Sequence, residues 1–159
     1  MAVKRKNEIA IINRTSGFRV HLKRLNQLVH VVLGKLGYRG VCLSLVFVSD
    51  ARIRHLNQRY LNHRWATDVL AFPYSNFPLL SKGLNNCPFL GEVIISPRRA
   101  QVYSRQLGIS FAEELMRYVC HGILHLKGYS DDTLRAQALM RREERKLLKA
   151  LGPKIKGII

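Results

Sequence analysis

Acidic side chains are scarce in this chain. Ten Asp and Glu stand against twenty-seven Lys and Arg, for a formal charge of +17 over 159 residues. An excess this large in so short a chain favours a polyanionic partner, and nucleic acid over a membrane surface. Long apolar runs are missing too. No stretch reaches the ~18 residues of a membrane-spanning helix, so a membrane protein is not expected. The apolar run Ile9–Ile12, behind the basic Lys4, Arg5 and Lys6, is too short for a signal peptide. Cysteine is limited to Cys42, Cys87 and Cys120, with no CxxC pair. An odd, scattered set predicts no disulfide framework and fits a reducing cytoplasm. Cys120 adjoins His121, but neighbours on a helix point about 100° apart, so a buried structural thiol is expected rather than a Cys–His dyad. There are no internal repeats or low-complexity tracts. The chain reads as one domain, 1–159, large enough for a core.

What is present centres on His121 to Asp131. His121 and His125 are four residues apart in a helical run, which stacks both imidazoles on one face. Gly128 follows where a helix can end in a left-handed turn. The chain can then fold back and bring Asp131 towards the imidazoles. Two neutral imidazoles and a carboxylate suit a zinc ion with an open fourth position. The spacing HxxxHxxGxx(H) is that of metzincin proteases, with Asp131 in the last position. Those enzymes place a glutamate after the first histidine as general base. Here that residue is Gly122, which argues against proteolysis.

The rest of the chain punctuates itself into elements. Glu8–Asn13, Val41–Val48, Thr67–Phe72 and Phe89–Ser96 read as strands, the third stopped by Pro73. From Phe18, apolar residues through Leu36 recur at helical spacing until Gly37. Ser49 or Asp50 caps a short helix to about Tyr60, and Pro97 opens another. Ser110 and Glu113 form a capping box before the His121 helix. That helix carries a polar stripe of Glu114, Arg117, His121 and His125, which must face a cavity or a partner. Residues 74–88 read as a loop and candidate flap. Asp131 and Asp132 are read as starting a last helix, whose later turns carry Arg141, Arg142, Arg145, Lys146 and Lys149. That cluster is a solvated face or an RNA contact. The order predicts an α+β domain: a small mixed four-stranded sheet with helices packed on it, the central helix carrying HxxxH.

Three blocks then resemble one family. HGILHLKGY, His121–Tyr129, with its acid-containing tail, resembles the signature HGxLHLxGYDH of the YbeY family of bacterial rRNA-maturation endoribonucleases. Leu56, Asn57 and Tyr60, followed by Thr67–Pro73 as TDVLAFP, are similar to the family's LNxxYR…PTDVLSFP. Leu90–Ile95 is similar to its LGDIxI strand, and Met140 falls nine residues after Asp131 as the family's methionine does after its third histidine. The resemblance implies a single-strand-specific, metal-dependent endoribonuclease that matures the 3′ end of small-subunit rRNA and acts in ribosome quality control. It implies zinc bound through His121, His125 and Asp131. This chain departs from the family in several positions. Asp131 replaces a histidine. Ala66 and Ala71 replace proline and serine. Glu92 replaces an aspartate on what is read as an edge strand. Leu61 stands where the family's phosphate-contacting arginine falls.

The expected chemistry follows from these readings. One Zn²⁺ per chain acidifies the attacking group and polarises the phosphate. Arg59 and Arg64, flanking Leu61, are the first candidates for the missing cation, with Arg117 next. Arg98, Arg99 and Arg117 are candidate RNA contacts. No general base is assigned. The expected partners are single-stranded RNA and the small ribosomal subunit, in the cytoplasm. Two other readings stay open: a non-catalytic ribosome-biogenesis RNA-binding factor with a structural zinc, and a metalloprotease.

Overall fold

The protein is described from a computed structural model covering residues 6–62, 67–74 and 87–159. Strands β1 (Glu8–Asn13), β2 (Cys42–Phe47), β3 (Val69–Pro73) and β4 (Phe89–Ile95) form one sheet in the order β1-β2-β4-β3. β1, β2 and β4 run parallel, and β3 is antiparallel to β4. β4 is therefore internal, and β3 takes the edge position expected of β4. Apart from Glu92, the β4 segment is apolar on both faces, as suits an internal strand.

Alternation along the strands separates two cores. Leu43, Leu45, Phe47, Val93 and Ile95 point to one face, where α1 (Leu22–Lys35) and α4 (Phe111–Lys127) cover them in the main core. Val46, Ile94 and Leu70 point to the other face and pack on Ile53 of α2 (Asp50–Leu61). Helices α3 (Pro97–Leu107) and α5 (Leu134–Leu151) flank α4, and a 3-10 helix, Gly152–Ile158, closes the described chain. The result is the α+β arrangement expected from the sequence.

Three local readings are revised. Helix α1 starts at Leu22, not Phe18. The His21 N–H donates to the Ile158 carbonyl (2.7 Å), which ties the preceding segment to the closing 3-10 helix, and Phe18 packs on Phe111. Helix α5 starts at Leu134, because the Thr133 hydroxyl caps it by accepting from the Ala136 N–H (3.1 Å). Asp131 and Asp132 thus lie before the helix, and its first turn carries no acid. Finally, Cys42 and Cys87 are paired in a disulfide, their Cα atoms 5.7 Å apart, joining the starts of β2 and β4. They are far apart in sequence, but sheet register brings them together, a signal that spacing does not carry. Cys120 is the buried free thiol that was expected, and burial pushes its pKa far up. Most of the expected flap, residues 75–86, lies outside the described residues.

Candidate metal centre

Helix α4 is fixed at both ends and in the middle. The Ser110 hydroxyl accepts from the Glu113 N–H (3.1 Å), and Gly128 ends the helix at φ 103°. Gly122 lets the helix lie directly on the sheet: a Cβ there would strike Val93 and press on Val69. The protease glutamate has no room at this position. Gly91 serves the same contact from the strand, since its Cβ would lie 2.7 Å from Leu126 and 2.5 Å from the Phe72 carbonyl. This close approach sets the histidine face of α4 beside β3.

The two imidazoles are held by their Nδ1 atoms. His121 Nδ1 is 2.6 Å from Glu144 Oε1, and His125 Nδ1 is 3.0 Å from the Tyr129 carbonyl. Both partners are acceptors, so each imidazole carries its proton on Nδ1 when neutral. The Nε2 lone pairs then face each other at 2.9 Å, an arrangement that calls for a cation or a shared proton between them. Asp131 Oδ2 stands 3.9 Å from one Nε2 and 3.8 Å from the other. The Gln137 side chain donates to the Asp131 carbonyl (3.0 Å) and steadies the turn that presents the carboxylate. The three ligand atoms lie within 4.8 Å of one another. Burial lowers the His125 pKa, and the neighbouring His121 lowers it further, which favours the neutral form a metal needs. Two neutral imidazoles and one half-exposed carboxylate are a donor set that fits zinc. Glu144, 4% exposed, is the outer carboxylate that orients such a ligand.

The centre lies in a cleft of about 580 Å³ between α4, β3 and the end of α2. Asn57, Leu61, Thr67 and Asp68 line it, so the second sequence block converges with the histidine block on one site, while the Leu90–Ile95 block does not line it. Arg117 lines it too. Its guanidinium forms a two-pronged pair with the fully buried Glu114, with Nε donating to Oε2 at 3.0 Å and Nη2 donating to Oε1. Burial alone would depress the Arg117 pKa, but the bonds and charge of Glu114 outweigh it and raise it. A larger groove of about 650 Å³ lies on the other sheet face, among Val46, Phe72 and Ile94. Among the described residues it holds no histidine, and Glu92, which hydrogen-bonds Ser44 (2.8 Å), lines that groove instead of the metal cleft.

The structure brings His121, His125 and Asp131 together, and Arg117 with them. Leu61 lines the cleft where the family's arginine is expected. Arg59 does not line it: this side chain is exposed and its guanidinium lies over the Tyr60 ring (5.8 Å). Arg64 lies outside the described residues. Arg99 pairs with Asp68 (3.2 Å) behind the cleft wall, and Arg98 is exposed. Sequence reasoning missed Glu144 and Tyr118. Glu144 had a signal, as the one acid in the stripe Met140, Glu144, Leu147, Leu151 that α5 buries. Tyr118 had none, since a tyrosine on an apolar helix reads as core.

Residues 10–152 match the family described as Endoribonuclease YbeY. Relatives bearing that name include a Thermodesulfovibrio yellowstonii protein, 33% identical over 91% of this chain and 98% of its own length. A Geobacter sulfurreducens relative is 34% identical over 87% of this chain and 90% of its own length. One from Salinibacter ruber is 40% identical over 70% and 71%. A Thermotoga maritima protein solved in solution superposes with a TM-score of 0.59 at 26% identity, covering 94% of this chain and 89% of that one. The fold, the converging histidines and the motif residues around the cleft agree with these likenesses: the chain belongs to the endoribonuclease YbeY family.

Proposed function

We propose that the protein is a metal-dependent endoribonuclease that cuts single-stranded RNA, with zinc as its ion, one per chain, held by His121, His125 and Asp131. The observation that carries the reading is the pair of facing Nε2 atoms beside Asp131, in a cleft that also presents Arg117. When bound, the ion supplies Lewis acidity to the scissile phosphate and acidifies the attacking hydroxyl. The chain's own residues do the rest. Glu144 and the Tyr129 carbonyl keep both Nδ1 atoms protonated and both Nε2 atoms available. Glu114 holds the Arg117 guanidinium at the cleft, where it takes the role of the cation that Leu61 lacks. Family membership and the +17 charge support small-subunit rRNA, at its 3′ end, as substrate and the small ribosomal subunit as partner, with a part in ribosome quality control. Such a substrate makes the compartment the cytoplasm, where Cys42 and Cys87 would meet a reducing thiol pool.

One observation favours a second reading, an RNA-binding factor with a structural zinc: Leu61 lines the cleft in place of the arginine. Zinc-loaded protein incubated with single-stranded RNA, with duplex RNA and with casein separates the readings. Cleavage of single strands alone is the expected result, and binding without cleavage supports the second reading. Arg117→Ala would strand Glu114 as a buried unpaired charge and destabilise the fold. Arg117→Lys keeps the charge but loses the two-pronged geometry, and should slow cleavage about 10- to 100-fold with zinc content unchanged. Parental rates in this variant would remove Arg117 from the chemistry.

A further inference from the structure

Tyr118 is the one described residue with a buried side-chain polar atom that finds no hydrogen-bond partner among the described residues. The residue is 4% exposed and lines the metal cleft. It sits one helical turn before His121 and beside Arg117 on α4. The Glu114 carboxylate lies near enough to act on the phenol without forming a hydrogen bond of good geometry, and both its oxygens are engaged by Arg117, as Asp68 Oδ1 is by Arg99. A buried donor without a partner is costly to stability, and such sites persist where a ligand supplies the partner.

Building on the endoribonuclease reading, we infer that the Tyr118 phenol is a catalytic hydrogen-bond donor to a non-bridging oxygen of the scissile phosphate, paired with the Arg117 guanidinium. Burial raises the phenol's pKa, the charges of Asp68 and Glu114 and the closeness of the Glu114 carboxylate raise it further, and the Arg117 charge only partly opposes them. The group therefore keeps its proton throughout the working range and acts as a donor, not as a base. A phosphate oxygen accepts only, which matches it. On this inference, the phenol and the neighbouring guanidinium beside the candidate metal centre serve one anion together.

The test is Tyr118→Phe in the zinc-loaded full chain, with melting temperature, zinc content and single-strand cleavage measured together. The phenyl ring keeps the packing and deletes the stranded hydroxyl, so the melting temperature should rise by about 2–4 °C. Cleavage should fall about 10- to 100-fold, mainly in kcat, with zinc retained. A rise in stability with a fall in rate supports the inference, because a structural hydroxyl would lower both. Parental cleavage by the variant overturns it, as does a fall in both stability and rate. If the parent binds RNA without cutting it, the endoribonuclease reading falls and affinity for that uncut RNA decides. A three- to ten-fold weaker Kd in Tyr118→Phe then keeps the phosphate contact, and an unchanged Kd removes it.

Discussion

Glu144 shows how one residue governs the chemistry of another. Its carboxylate accepts from His121 Nδ1–H at 2.6 Å and thereby fixes which nitrogen faces the candidate metal site. Glu144→Gln keeps an acceptor oxygen in the same place but loses the charge. The variant should fold, and its zinc affinity should drop by about 10- to 100-fold in a chelator competition. Unchanged affinity would mean that Glu144 only packs. His125 makes a second residue-scale prediction. Its folded pKa lies below the ordinary imidazole value of about 6.5, so the unfolded chain binds that proton more readily. Stability of the zinc-free protein should be full above pH ~6.5, fall as pH drops through the interval between the two pKa values, and then level off. A melting curve series against pH reads this directly. Zinc affinity should fall over the same range, because the proton and the ion compete for Nε2.

At the scale of elements, the site depends on how closely α4 lies on the sheet. Gly122 marks that contact. Gly122→Ala places a methyl against Val93, whose branched side chain sits fixed in the core at 0% exposure. The expected cost is about 1–3 kcal/mol, seen as a lower denaturation midpoint. A variant as stable as the parent would show that helix and sheet can part here without loss. The sequence made these elements readable wherever local chemistry decides them. Ser49, Ser110 and Gly128 mark helix ends by capping and act as read, and Pro97 opens its helix as read, with Ser96, read as the end of a strand, supplying the cap. It was silent where distant pairing decides. The internal place of β4, the Cys42–Cys87 bond and the start of α1 all depend on contacts between segments far apart in the chain. The site divides the same way. His121, His125 and Asp131 could be read from helix periodicity and one glycine. The seating of Arg117 on Glu114, and the turning away of Arg59, required knowing which helix face meets the cleft.

For the whole molecule, charge dominates how a partner is met. The described ion pairs of α5 involve one acid on that helix's solvent face, Glu143, which accepts from Lys146 (2.8 Å) and Arg142 (3.3 Å). Those contacts hold the Glu143 carboxyl below its usual pKa, the Lys146 bond most of all. Arg141, Arg145 and Lys149 share the exposed surface of that helix. With +17 overall, a single-stranded RNA approaching the cleft meets an attractive field from many directions. Affinity should therefore come mostly from counterion release, with a slope of log Kd against log salt near 0.7 for each phosphate neutralised. A slope of several units is expected between low and physiological salt, with little dependence on base sequence. Charge reversal at Arg141 and Arg145 should reduce that slope by about one unit or more while leaving the zinc site alone. Cleavage at saturating RNA should then be unaffected, because those side chains act on encounter rather than on the reacting phosphate. A flat salt dependence would mean that contacts inside the cleft, not the basic surface, hold the strand.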